Sequence, residues 1–160
     1  MKAWVFGDNV DTDAIAPGRY MKLGIDEIAR HCFESLDPGF SRNLKSGDAV
    51  VGGRNFGAGS SREQAPEALK HLGVAVLIAE SFAGLFYRNA INLGLPAIAC
   101  AQAKRIRQGD LLKVDFEEGW ILNLTTEEKL ACEPIPAFLM SIIRDGGLLA
   151  HLENRLARPA

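Results

Sequence analysis

Apolar residues fall into short runs whose spacing switches between strand and helix periods. Residues 2–6 read as a first strand. Residues 8–18, rich in Asp, Asn, Pro and Gly, read as a loop. Ile25, Ile28, Ala29, Cys32 and Phe33 recur at helical spacing, so residues 25–33 predict a helix, and Asp37-Pro38-Gly39 marks a turn beyond it. Ala49-Val50-Val51 predicts a strand. It runs into residues 52–59, where four glycines in eight residues mark a loop with unusual backbone demands. Residues 60–72 predict a helix. Pro66 lies inside it, so either the helix starts near Pro66 or it is kinked there. The unbroken apolar run 74–79 has the pattern of a strand covered on both faces. A helix over 81–93, closed by Gly94 and Pro96, leads to a buried strand at 97–100. Residues 111–116 and 120–124 form a hairpin around Glu117-Glu118-Gly119. Helices over 136–143, stopped by Gly146-Gly147, and over 148–156 end the chain. The alternation predicts one three-layer α/β domain over residues 1–160, with a mixed sheet.

Composition narrows the functional classes. At 160 residues and 48% apolar, the chain can bury one core but not two large domains with a cleft between them. Net charge is −2, and the clearest basic cluster, Lys104, Arg105 and Arg107, alternates with apolar positions. It reads as the solvated side of a loop or strand, not a nucleic-acid stripe. No apolar stretch is long enough for a membrane span, and residues 1–7 lack a secretory core, so a cytoplasmic protein is expected. Cys32, Cys100 and Cys132 show neither disulfide-framework nor metal-ligand spacing with each other or with His31, His71 and His151. No metal site is expected in this chain, and His31 and Cys32 read as packing residues.

The segment Gly52-Gly53-Arg54-Asn55-Phe56-Gly57-Ala58-Gly59-Ser60-Ser61-Arg62-Glu63 carries the candidate chemistry. It is not a dinucleotide fingerprint, and no P-loop lysine follows the glycines. Ser60 and Glu63 have capping-box spacing, which by itself explains both. A helix start also offers free N–H groups to an anion, and glycines let the backbone approach one. Arg62, a cation at the positive end of a helix, calls for an anion nearby. Asp11 and Asp13 in the first loop either make an Asx-type turn or orient a basic group.

These segments together carry a resemblance. Asp11-Thr12-Asp13 with Ile15, Pro17, Arg19 and Tyr20 comes first, then Asn55-Phe56-Gly57 with Gly59-Ser60-Ser61-Arg62-Glu63. Ala79-Glu80-Ser81-Phe82 follows, and then Phe86-Tyr87-Arg88-Asn89-Ala90-Ile91-Asn92 with Gly94 and Pro96. Over nearly its whole length the chain resembles the small subunits of 3-isopropylmalate dehydratase; the Gly-Ser-Ser-Arg-Glu element is the specific part. The resemblance extends to homoaconitase small subunits and to the swivelling C-terminal domain of aconitase. It implies a three-layer β/β/α swivelling domain and an active site shared with a separate large subunit. That partner carries a [4Fe-4S] cluster, and this chain holds no cofactor.

The resemblance also implies a hydro-lyase reaction on a 2-hydroxy acid: dehydration, then rehydration with the hydroxyl on the neighbouring carbon, the iron acting as Lewis acid. Ser60 is then the base. Arg62 and helix-start amides, including that of Ser61, stabilise its alkoxide, so the capping bond to Ser60 is expected to be weak or absent. Asp13 lies at the site and organises basic groups. Tyr20, Met21, Lys22 and Leu23 form the segment that meets the variable part of the substrate. Met21 and Leu23 suit an isopropyl group. Lys22 either binds an extra carboxylate or lays its stem along the pocket. 3-Isopropylmalate, in leucine biosynthesis, is the expected substrate; homoaconitate and methyl- or dimethylmalate-type acids are the alternatives. Gln64-Ala65-Pro66 departs from the family's more usual His or Ser followed by Ala-Ala, which bears on where the helix begins. A competing class is a stand-alone carboxylate-binding module, which would need only the backbone and Arg62. A serine hydrolase does not fit, because Gly59-Ser60-Ser61 is not a nucleophile elbow and no His–acid pair is evident.

Overall fold

Strands β1 (Ala3–Val5), β2 (Ala49–Val51), β3 (Val76–Ala79) and β4 (Ala97–Ala99) lie side by side in that order, all parallel. The computed structural model describes residues 1–159. The register Ala3–Ala49–Val76 makes the side-chain alternation of all four strands coincide. Ala3, Ala49, Val51, Val76, Ile78 and Ile98 point to one face, and Trp4, Val50, Leu77, Ala79 and Ala97 to the other. Each face is the floor of a separate core, which is why the strands read as unbroken apolar runs.

A second sheet, antiparallel, covers the first face. It consists of β5 (Leu112–Asp115), β6 (Trp120–Asn123) and β7 (Glu128–Ala131), and contributes Leu112, Ile121 and Leu130. Helices cover the other face. They are α1 (Thr12–Ile15), α2 (Ile25–Arg30), α4 (Gln64–His71) and α5 (Gly84–Asn92), which bury Ile15, Ile28, Leu69, Phe86, Ala90 and Ile91. The short α3 (Phe40–Asn43) adds Phe40. Helices α6 (Ala137–Arg144) and α7 (Leu148–Ala157) complete the chain. The three-layer β/β/α arrangement is the one expected, but the expected mixed sheet is not found: the parallel strands form one sheet and the antiparallel hairpin with β7 forms another.

Four local expectations change. The loop at 8–18 contains the single turn α1, capped by Asp11, whose carboxylate accepts from the Ala14 amide at 2.7 Å. Helix α2 stops at Arg30. Phe33 turns into the left-handed region (φ +58), so its amide reaches Ala14 O at 3.1 Å, and its ring stacks on Phe6 at 4.0 Å. Helix α4 begins at Gln64, not Ser60, which puts Pro66 in its first turn, where a missing N–H leaves no intrahelical bond unmade. Strand β7 has no forerunner in the sequence pattern: Glu128-Lys129-Leu130-Ala131 offers one strong apolar position, Leu130, although that side chain is fully buried. The basic cluster lies on a 3-10 turn, Ala103–Arg105. There Lys104 reaches Asp8 at 3.3 Å and Arg105 pairs with Glu128, while Ala103 and Ile106 are buried. Cys32 is buried on α2's trailing turn, 3.8 Å from Ile28 O. No helix among the described residues is long and apolar enough to cross a membrane.

Candidate active site

The glycine loop leaves β2 and runs beside the first loop as if pairing with it. Gly57 N–H donates to Val10 O at 2.8 Å, Thr12 N–H to Ala58 O at 2.8 Å, and Asp11 and Ala58 form a parallel bridge. The buried Thr12 hydroxyl extends the ladder by donating to Ser60 O at 2.8 Å. Gly57 is the hinge of this arrangement. Its φ is +84, and a Cβ there would collide with the Phe86 ring beneath it, so only glycine fits. Asp11–Asp13 and Ala58–Ser60 therefore face each other across one seam.

At the end of the seam Ser60 and Ser61 are exposed. Because α4 starts four residues later, Ser60 is not an N-cap. Glu63 holds that position and makes no side-chain cap bond. Among the described residues the Ser60 hydroxyl makes no hydrogen bond, so the expected competition for its oxygen does not arise. Ser60, Ser61 and Arg62 line a dent of about 30 Å³ together with Thr12, Asn89 and Phe86.

Arg62 precedes the helix and folds back over the first loop. Its Nη1 donates to Asp13 Oδ1 at 2.9 Å and to Ala16 O at 3.1 Å. The anion that this cation calls for is thus one of the protein's own carboxylates. Asp13 Oδ1 also accepts the Gly18 amide at 2.9 Å, and the Arg62 bond and that amide hold the Asp13 carboxyl below its usual value. A Cβ at Gly18 would lie 3.2 Å from both the Arg62 guanidinium and the Asp13 carboxylate, so the bare backbone leaves the pair its room. The two readings of the first loop are both realised, one per acid: Asp11 caps and Asp13 orients. The remaining donors of Arg62, whose side chain is 23% exposed, are free for a ligand carboxylate.

The Tyr20–Leu23 segment is not part of this dent. Tyr20 ends a 3-10 turn, Gly18–Tyr20, and lies flat on His31, with ring centroids 3.7 Å apart and planes 9° apart. His31 Nδ1 is 2.6 Å from Glu34 and its Nε2 is 3.2 Å from Glu27, while Arg19 pairs with Glu34 and sits over the Tyr20 ring. Burial works against the charge of Glu34, but the His31 and Arg19 bonds outweigh it and hold its pKa down. Met21 is half-buried against the helix-side core; Lys22 and Leu23 are exposed. A groove of about 680 Å³ opens beside this network, lined by Asp13, Arg19, Arg30, His31, Glu34 and Arg42. Asp13 is the one residue common to that groove and the Arg62 pair. Sequence reasoning gives Thr12 and His31 no part in the site. Their tasks depend on which carbonyl and which ring the fold brings to them, and one sequence carries no signal of that.

Comparison with known proteins identifies the family. The aconitase C-terminal domain family matches residues 38–103. A 3-isopropylmalate dehydratase small subunit of Clostridium beijerinckii is 49% identical over 156 residues, covering 96% of this chain and 97% of its own. A methanogen homoaconitase small subunit of Methanothermobacter thermautotrophicus is 50% identical, covering 94% and 88%. A crystal structure described as 3-isopropylmalate dehydratase of Methanocaldococcus jannaschii superposes with a TM-score of 0.92 at 42% identity, covering 97% and 93%. Similarity of this extent, in sequence and in fold alike, means that the chain belongs to the family of 3-isopropylmalate dehydratase small subunits, within the aconitase superfamily.

Proposed function

We propose that this chain works as one swivelling domain, in the cytoplasm, as the small subunit of a hydro-lyase that interconverts 2- and 3-isopropylmalate through the dehydrated acid. The observation that carries the reading is an exposed, unbonded Ser60 beside an Arg62 that Asp13 and the Ala16 carbonyl hold in place. The dent they line, about 30 Å³, has room for only a few water molecules. A branched dicarboxylic acid cannot be enclosed there, so its other walls come from the Tyr20–Leu23 segment and from a second chain. That supports a large-subunit partner.

The chain's own residues do not fit the [4Fe-4S] cluster that the family implies. Cys32 is buried against its own helix, Cys100 and Cys132 adjoin with no third ligand, and no group of three candidate ligands exists among the described residues. The cluster is assigned to the large subunit, where it would act as Lewis acid on the leaving hydroxyl. On this side, free N–H groups of Arg62 take a substrate carboxylate. Ser60 Oγ removes the proton from the carbon next to a carboxylate and returns it on rehydration. Arg62 and the amides near Ser61 offset the cost of the alkoxide. Asp13 keeps Arg62 aimed. Met21 and Leu23 suit an isopropyl substituent, while Tyr20 and the Lys22 stem shape the rest of that wall.

The test is anaerobic reconstitution with a cluster-bearing large subunit, following unsaturated-acid formation from 3-isopropylmalate, homoisocitrate and 2,3-dimethylmalate. Turnover is expected to favour 3-isopropylmalate, to be absent for either subunit alone, and to vanish with Ser60→Ala. Preference for homoisocitrate would move the substrate assignment to Lys22. A formed complex without turnover of any of these acids would overturn the reading and favour a carboxylate-binding module.

A further inference from the structure

Cys100 lies one residue past β4, on the edge of the parallel sheet, and Cys132 one residue past β7, on the edge of the antiparallel sheet. Two contacts bracket them. Glu133 N–H donates to Ala99 O at 2.9 Å, and Cys100 Sγ lies 3.6 Å from Ala131 O. The cysteines therefore lie on adjoining segments that a backbone hydrogen bond holds side by side, the arrangement a disulfide needs. Both side chains belong to the core between the two sheets, and both thiols lie at the end of β7, Cys100 Sγ at 3.6 Å from Ala131 O and Cys132 Sγ at 3.7 Å from Leu130 O. Cys100 is fully buried, whereas Cys132 is partly exposed, so a small oxidant has a short way in.

We propose that Cys100 and Cys132 are a dithiol oxidation site that hydrogen peroxide converts to a reversible disulfide, stapling the parallel sheet to the antiparallel one. The neighbouring Cys132 lowers the pKa of the Cys100 thiol despite its burial and so favours its thiolate, while Cys132 is pushed up and keeps its proton. The Cys100 thiolate attacks one peroxide oxygen and breaks the O–O bond. The Cys100 sulfur becomes a sulfenic acid, and the departing hydroxide takes up a proton to leave as water. The Cys132 sulfur then attacks the Cys100 sulfur, the S–S bond forms, and the sulfenic oxygen leaves as a second water with the Cys132 proton. Two thiols are oxidised by two electrons and one peroxide is reduced to two waters. A low-molecular-weight thiol attacking Cys132 reverses the step. Cys32 is an internal control: burial pushes it up to about 12, and no thiol adjoins it.

The site does not depend on the role of Ser60. The full chain, treated with hydrogen peroxide, quenched and alkylated after unfolding, is digested and mapped by mass. The expected result is a Cys100–Cys132 linked peptide, lighter by two hydrogens and cleaved by dithiothreitol. The pair's thiols should be lost roughly tenfold or more faster than that of Cys32. In Cys132→Ser, Cys100 should stop at the sulfenic acid and be trapped by dimedone. Oxidation of Cys132 to sulfinic acid without a link, or equal loss of all three thiols in the folded chain, overturns the proposal.

Discussion

Asp13 shows how much a single residue's task depends on its neighbours. Its Oδ1 holds Arg62 and receives the Gly18 amide, and these bonds keep the carboxyl below the ordinary carboxylate range. A depressed folded-state value adds stability that is present above the unfolded value and lost as pH falls through the folded one. The difference in thermal midpoint between the wild type and Asp13→Asn should therefore be flat from pH 8 to pH 5 and fade only below about 4. It should also be small, because Asp13 is 66% exposed and an exposed pair adds little. Activity should respond more strongly. With Arg62 released, kcat/KM of the reconstituted enzyme is expected to fall by roughly one to two orders of magnitude. An unchanged kcat/KM would remove Asp13 from the site. Ser60, Arg62 and Asp13 are legible in the sequence because the motif names them. The capping-box reading of Ser60 does not hold, since α4 starts at Gln64 and puts Glu63, not Ser60, at the N-cap.

Short elements decide where those residues point. Gly57 combines a left-handed backbone with a phenylalanine ring against its Cα, so Gly57→Ala should cost about 2–4 kcal/mol in a denaturation experiment. It should also shift the seam that seats Ser60. Pro66→Ala, by contrast, should move stability by only about 0.5 kcal/mol, because in the first turn of α4 the ring displaces no hydrogen bond. A loss of about 3 kcal/mol there would mean that the proline orients the helix in some further way. The 3-10 turn before Met21 depends on the stack of Tyr20 on His31, which Glu27 and Glu34 hold from both sides. His31→Ala should open the chain to trypsin after Arg19 and Lys22. It should also raise KM more than it lowers kcat, and Tyr20→Phe, which keeps the stack, should do neither. Strand periodicity finds β1 to β6 because their apolar positions alternate or run on. It misses β7, where one leucine among polar residues does the packing.

For the whole molecule the governing fact is that four short strands serve two cores. The layer order is legible, since alternating strand and helix patterns followed by a hairpin leave few arrangements. What sits over the dent is not, because on the proposed reading its second wall belongs to another chain. Large-to-small changes on the two faces, Leu77→Ala toward the helices and Ile78→Ala toward the antiparallel sheet, should each cost about 2–5 kcal/mol in denaturant unfolding, since both side chains are fully buried. Each variant should still unfold in one transition by every probe. Two separate transitions would mean that the cores melt independently.

The shared sheet also sets a clock. Backbone amides of Ala49–Val51 and Val76–Ala79 are hydrogen-bonded within strands sealed above and below, so no local opening exposes them to solvent. In deuterated water these amides should exchange last, with an opening free energy that equals the global stability of the chain.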